Sequence, residues 1–137
     1  MSYKDLSELS EHQHQKLLCE RLTLEGIEFA STPNGFNLNI DKHQSKQSRG
    51  RKFGQIKKLK AEGMKKGFPD LIIPELFLFI EMKDCKEKAR PEQKEWIKKL
   101  ANMGYEAHVC NGYEQAWAVI ANCLKYKIKV VRKLKNE

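Results

Sequence analysis

Apolar and polar positions alternate along this chain in two rhythms, and the switches between them mark its elements. Over residues 6–24, Leu6, Leu9, Leu17, Leu18 and Leu22 stand among polar residues, which predicts an amphipathic first helix stopped by Gly26. Ile27 to Phe29 reads as a short strand, Thr32-Pro33-Asn34-Gly35 as a turn, and the alternating Phe36 to Ile40 as a second short strand. Residues 41–53 carry few apolar side chains and read as a loop, and 54–62 predict a short basic helix closed near Gly63. Two apolar runs follow, LII at 71–73 and LFLFIEMK at 76–83, parted only by Pro74-Glu75, so a tight antiparallel hairpin is expected. The unbroken run 76–80 predicts a strand buried on both faces. Pro91 suits the first position of a helix, Trp96, Ile97, Leu100 and Ala101 form its apolar stripe, and Gly104 ends it. Tyr105 to Cys110 reads as a strand, Asn111-Gly112 as a turn and 113–124 as the last helix. Ile128 to Val131 either adds an edge strand or frays.

A hairpin plus a strand–helix–strand unit makes an α/β fold with a mixed central sheet flanked by helices. The length of 137 residues suits one domain, which we place at 1–124, with a basic C-terminal extension at 125–137. No stretch approaches the roughly 18–20 apolar residues of a membrane span. The polar, acid-bearing N-terminus matches neither a signal nor a transit peptide, so a soluble, cytoplasmic protein is expected, without a membrane partner. Cys19, Cys85, Cys110 and Cys123 form no CxxC pair, and His12, His14, His43 and His108 lack zinc-ligand spacing.

Charge changes the picture more. The net +8 is unevenly placed: residues 42–69 hold ten bases and one acid, a net +9, and the tail from 125 onward adds +5. Arg49, Arg51, Lys52, Lys57, Lys58, Lys65 and Lys66 are the candidate DNA contacts in that stripe, because phosphate contacts release condensed counterions. A solvated lysine-rich loop is the competing explanation of the same run.

The candidate chemistry lies just beyond it. Asp70 stands at the start of the first hairpin strand, and Glu81 and Lys83 lie two apart near the end of the second. Side chains alternate along a strand, so Glu81 and Lys83 share a face while Ile80 and Met82 point away. Ten residues separate Asp70 from Glu81, and a tight turn should set them opposite each other. Two carboxylates can hold Mg²⁺ through oxygen, and a lysine beside them can orient water or relieve developing charge at a phosphate. Ordinary rim charges at strand ends are the bland alternative, but opposite charges ending so apolar a strand favour a use.

These residues resemble a known family. GMKKGFPDLIIPELFLFIEMK (63–83), followed by RPEQKEWIKKLANMGYEAHVCNGYEQAWAVI, is similar to the VRR-NUC domain, a branch of the PD-(D/E)XK nuclease superfamily found in phage and bacterial proteins. The similarity runs from about Glu11 to Leu124. The resemblance implies a restriction-endonuclease-like core and a Mg²⁺-dependent endonuclease in which Mn²⁺ substitutes. It implies Asp70, Glu81 and Glu11 as metal ligands, with the Met82 carbonyl as a further one, and Lys83 as the catalytic lysine. Glu8 competes with Glu11 for the helix-borne acid, and Gln15 shares a helix face with Glu11. Gln93, in RPEQ, matches a glutamine beside the metal, unless it is simply a first-turn residue in water. Thr32 to Gly35 matches a turn near the site. The standalone form resembles phage versions and implies a homodimer in a bacterial host that acts on branched DNA such as Holliday junctions. A flap or nicking nuclease, a non-catalytic nucleic-acid-binding module, and an interaction domain using the Trp96 and Trp117 helices are the alternatives.

Overall fold

A capping box sets where the first full helix starts. The Ser10 hydroxyl accepts from the Gln13 N–H, and the Gln13 carboxamide accepts from the Ser10 N–H. The expected single helix over 6–24 is therefore two pieces: a 3-10 turn, Leu6–Glu8, and α1, Glu11–Leu24. The computed structural model describes residues 5–32 and 45–136. Residues 33–35 of the turn, the strand at 36–40 and the first part of the loop read from 41 lie outside these.

Gly26, at φ +71°, ends α1 with the Gly26 N–H donating to the Thr23 carbonyl and the Ile27 N–H to the Leu22 carbonyl. This Schellman closure folds Ile27 back under Leu22, and the strand expected at 27–29 begins instead at β1, Ala30–Ser31. The same closure ends two later helices, at Gly63 and Gly104. Helix α2 spans Lys46–Ala61, with Ser45 capping the Ser48 N–H. It corrects the loop read over 41–53: lysine, glutamine and arginine are good helix formers, and a capped start turns a polar run into helix.

The hairpin forms as β2, Leu71–Ile73, and β3, Leu78–Lys83. Its connection is longer than the expected two residues, a 3-10 turn over Pro74–Leu76 followed by Phe77 in the left-handed region at φ 49°. Phe77 is therefore thrown outward and is 67% exposed, so the run 76–80 is not buried throughout. Helix α3 spans Pro91–Asn102, β4 Glu106–Asn111 and α4 Tyr113–Lys135. The Ile128–Val131 segment neither pairs nor frays: no glycine or proline follows Gly112, and Arg132, Lys133 and Lys135 suit the negative end of the helix dipole.

The strands lie in the order β1-β2-β3-β4, antiparallel except for β3 and β4, which run parallel through the α3 crossover. The mixed four-stranded sheet flanked by helices is the expected fold class. Leu78, Ile80 and Met82 of β3 pack with Leu18 and Leu22 of α1 and Ala116 and Ile120 of α4 in one core. Phe79 faces the other way, meeting Phe68 and Tyr105 edge to face, and Phe68 in turn meets Trp96 of α3. Glu81 and Lys83 follow Phe79 on that second face. No helix among the described residues is long and apolar enough to cross a membrane.

Candidate active site

Register brings the acids together. Leu71 pairs with Ile80, so the next residues outward, Asp70 and Glu81, end the hairpin side by side. The Met82 N–H donates to Asp70 Oδ2 at 2.8 Å, which fixes that carboxylate across the strand end. From behind, the Thr32 N–H donates to the Asp70 carbonyl and the Thr32 hydroxyl to that of Pro69.

The α3 helix supplies the opposite wall. Gln93 Oε1 accepts from the Arg90 N–H, and Gln93 Nε2 donates to Glu81 Oε1 at 2.6 Å. Gln93 is buried, so it is not a first-turn residue in water. Its position depends on Gly67, at φ +85°, where a Cβ would lie 2.7 Å from the Glu92 carbonyl carbon. Only glycine lets this loop touch the α3 backbone there.

Lys83 Nζ lies 3.8 Å from Glu81 Oε1 and 3.9 Å from Glu11 Oε2. Glu11 thus reaches the same cluster from the first turn of α1, and with Gln15 and Asp70 it lines an open cleft. Glu8 sits on the separate 3-10 turn and is exposed. All five candidates, Asp70, Glu81, Lys83, Glu11 and Gln93, therefore converge on one place, and the Met82 backbone joins them through Asp70.

Such crowding makes ionisation costly. Burial, reinforced by the Asp70 charge, pushes the Glu81 carboxyl up to about 8. Burial raises Asp70 too, against the Met82 N–H and Lys83, which favour its charged form. Burial likewise raises Glu11. Lys83 is one cation among three acids. Glu81 Oε2 is buried without a donor from the backbone or a basic side chain, and the Glu81 and Asp70 carboxyls lie close enough to share a proton. A carboxylate pair in a region of excess negative charge fits a hard divalent cation. Among the described residues no group of three His, Cys, Asp or Glu side chains is placed so that it could hold a metal ion. A cation would have to use Asp70 and Glu81, with Glu11 reaching in.

Of the basic candidates, Arg51, Lys57, Lys58, Lys65 and Lys66 are exposed, while Arg49 and Lys52 are half-buried on α2. Lys58 pairs with Glu62 and Lys66 with Glu92. Lys65 and Lys66 stand directly before the loop that carries Asp70. Two neighbours were not picked out from sequence. Arg90 exerts a favourable charge effect on Asp70, and His14 is buried on α1 one turn beyond Glu11, accepting from the Tyr113 N–H at 3.0 Å. The i, i+4, i+8 series His14, Leu18, Leu22 was the available signal for the second.

The mixed sheet thus ends its central hairpin in two acids and a lysine, beside which α1 and α3 each place one further polar side chain. The model of the VRR-NUC domain matches residues 9–114, and the chain belongs to that family, a family of nucleases. A solved structure described as a VRR_NUC domain protein is 26% identical, with a TM-score of 0.65, over 90% of this chain and 92% of that one. No curated protein matches the chain.

Proposed function

We propose that the chain is a Mg²⁺-dependent endodeoxyribonuclease, with Mn²⁺ as a substitute, that cuts branched DNA such as Holliday junctions as a homodimer. The observation that carries the metal-dependent reading is the buried pair of Glu81 and Asp70 carboxyls, close enough to share a proton and flanked by Lys83. Asp70, Glu81 and Glu11 would hold the cation, with the Met82 carbonyl available next to them. When bound, the cation polarises the phosphoryl group and acidifies the attacking water. Gln93 keeps Glu81 Oε1 occupied, which leaves Oε2 for the ligand. The Met82 N–H holds one Asp70 oxygen, and the same carboxyl meets that of Glu81. Lys83, buried and positively charged, orients water and offsets charge that builds on the phosphate oxygens. The bases of α2 and Lys65-Lys66 supply phosphate attraction that is independent of base sequence. Exposed Tyr126, Ile128, Val131 and Leu134 on the outer half of α4 favour self-association, since apolar side chains gathered on one helix gain from being covered.

The test is cleavage of labelled junction, flap, nicked and linear duplex DNA with and without Mg²⁺, alongside sedimentation. Lys83→Ala should lower the cleavage rate by about 10²–10³-fold while DNA binding survives. Intact DNA of every type in Mg²⁺ and Mn²⁺ would remove the enzymatic reading and leave a binding module. A monomer that cuts only flaps or nicks would replace the junction reading.

A further inference from the structure

A second cavity adjoins the acidic cleft. It holds about 520 Å³ between the end of α2, the loop before Asp70 and α3, and its walls include Thr32, Leu59, Met64, Lys65, Phe68 and Trp96. Thr32 also lines the cleft that contains Glu11 and Asp70, so the two spaces share a wall. That wall is pinned to the site, because the Thr32 backbone and hydroxyl hydrogen-bond the carbonyls of Asp70 and Pro69. The aromatic walls are tied to it as well. Phe68 precedes Asp70 by two residues, and Trp96 lies one helical turn beyond Gln93, the partner of Glu81. The Phe68 and Trp96 rings meet edge to face at 5.1 Å.

We propose that this hollow receives one unpaired nucleobase of the DNA, next to the phosphate held at Asp70 and Glu81. The inference rests on the nuclease reading and narrows it to branched DNA with an unpaired arm, a fork or flap, over a fully paired four-way junction. An apolar, aromatic space a short step from a phosphate site matches the two halves of a nucleotide, a flat ring and an anion. Lys65 at the rim and Lys66 beside it draw the backbone that joins them. A space of this size takes a flat ring system between its aromatic and aliphatic walls. In duplex DNA both faces of each base are already covered by neighbours. Only a base already unstacked at a branch, fork or flap enters without an unstacking cost. Stacking on aromatic side chains tolerates any base, so the hollow reads strand geometry and not sequence.

The experiment uses the full chain with Ca²⁺, which permits binding without cutting, and a forked duplex with an unpaired thymine arm. Each arm position near the fork is replaced in turn by an abasic residue, and separately by photoreactive 5-iodouracil. One abasic position should weaken binding by about 5- to 100-fold, the range for loss of one base–aromatic stack. Iodouracil at that same position should crosslink to Trp96, Phe68 or Met64. Leu59→Trp, which fills the hollow, should weaken binding to the intact fork similarly and add no further loss on the abasic fork. That non-additivity would not follow from a merely structural effect of the substitution. Abasic replacements that all stay within about twofold, or crosslinks only to the outer face of α2 or to α4, overturn the base site. If the fork is bound and cut in Mg²⁺ under those results, the nuclease reading stands without it. If no DNA binds at all, both fall.

Discussion

Replacing Glu81 with Gln keeps the shape of the side chain and removes its charge, and the structure sets both the sign and the size of the effect. Glu81 is 2% exposed, and burial together with Asp70 moves its carboxyl from the ordinary 4.5 up to about 8. Below the unfolded value both states are protonated and the group costs nothing. Between 4.5 and about 8 the unfolded chain has released a proton that the folded chain keeps, so stability falls as pH rises. Above that window the full penalty is present. Holding the carboxyl at about 8 corresponds to at most ~5 kcal/mol. Asp70 and Glu11 titrate with it and share the repulsion, so about 2 kcal/mol is the expected gain for metal-free Glu81→Gln at pH 8. At pH 5 it should be below about 0.5 kcal/mol.

The assay is thermal or urea denaturation of both proteins in chelator at pH 5 and pH 8, repeated with Mg²⁺. At pH 8 the variant should melt roughly 6 °C or more above wild type without metal. Added Mg²⁺ should stabilise only the wild type, since a ligand raises stability where it binds the folded state. Cleavage by the variant should fall at least about 10²-fold. A variant no more stable than wild type at pH 8 would refute the buried-charge account of Glu81. Cleavage within tenfold of wild type would refute its role as a ligand.

Gly67→Ala should cost about 1–3 kcal/mol in urea denaturation, because its Cβ would meet the Glu92 backbone at 2.7 Å with φ at +85°. The residual folded protein should also cleave more slowly, since Gln93 moves with Glu92. Lys65→Ala should lower the slope of log binding constant against log salt by about 0.9, and Lys66→Ala by less, because Lys66 is partly engaged by Glu92. Burial pushes the Cys110 thiol up to about 12, so it should resist maleimide at pH 7.5 in the folded protein while exposed Cys85 reacts. Mass spectrometry after labelling distinguishes them, and modification of Cys110 at the rate of Cys85 would contradict its burial.

The part of the site legible in sequence was the part built from local rules. Strand alternation puts Glu81 and Lys83 on one face, and hairpin closure sets Asp70 beside Glu81; both hold although the connection is longer than expected. What spacing along a strand cannot convey is reach between elements. Glu11 could be tied to Lys83, and Gln93 to Glu81, only by resemblance, because those contacts depend on how α1 and α3 pack against the sheet. The α2 start was missed since its helix is signalled by a serine cap and by propensity, with little apolar periodicity over residues 46–53. The long α4 was missed for the opposite reason. Its apolar residues beyond Leu124 read as a strand, yet they remain exposed on a helix that nothing interrupts.

Two routes connect the acids. One runs through the sheet: β3 carries Glu81, and its next backbone N–H, on Met82, grips Asp70 at 2.8 Å. The other runs through the helix: the loop that carries Asp70 touches Glu92 at Gly67, and Gln93 beside it holds Glu81 at 2.6 Å. The Gln93 carboxamide can adopt only one orientation on this second route. Its oxygen must face the Arg90 N–H and its nitrogen must face the carboxylate. Hence the start of α3 determines which Glu81 oxygen stays free of the amide, while the sheet determines how far that oxygen lies from Asp70. A Gln93→Glu substitution separates the two. It leaves the backbone pairing intact but removes the amide donor to Glu81 Oε1 and sets a third acid against it, so it should push the Glu81 carboxyl up further and slow cleavage with little change in the sheet's hydrogen-exchange protection. Lost protection in β2 and β3 would mean the helix route also supports the sheet.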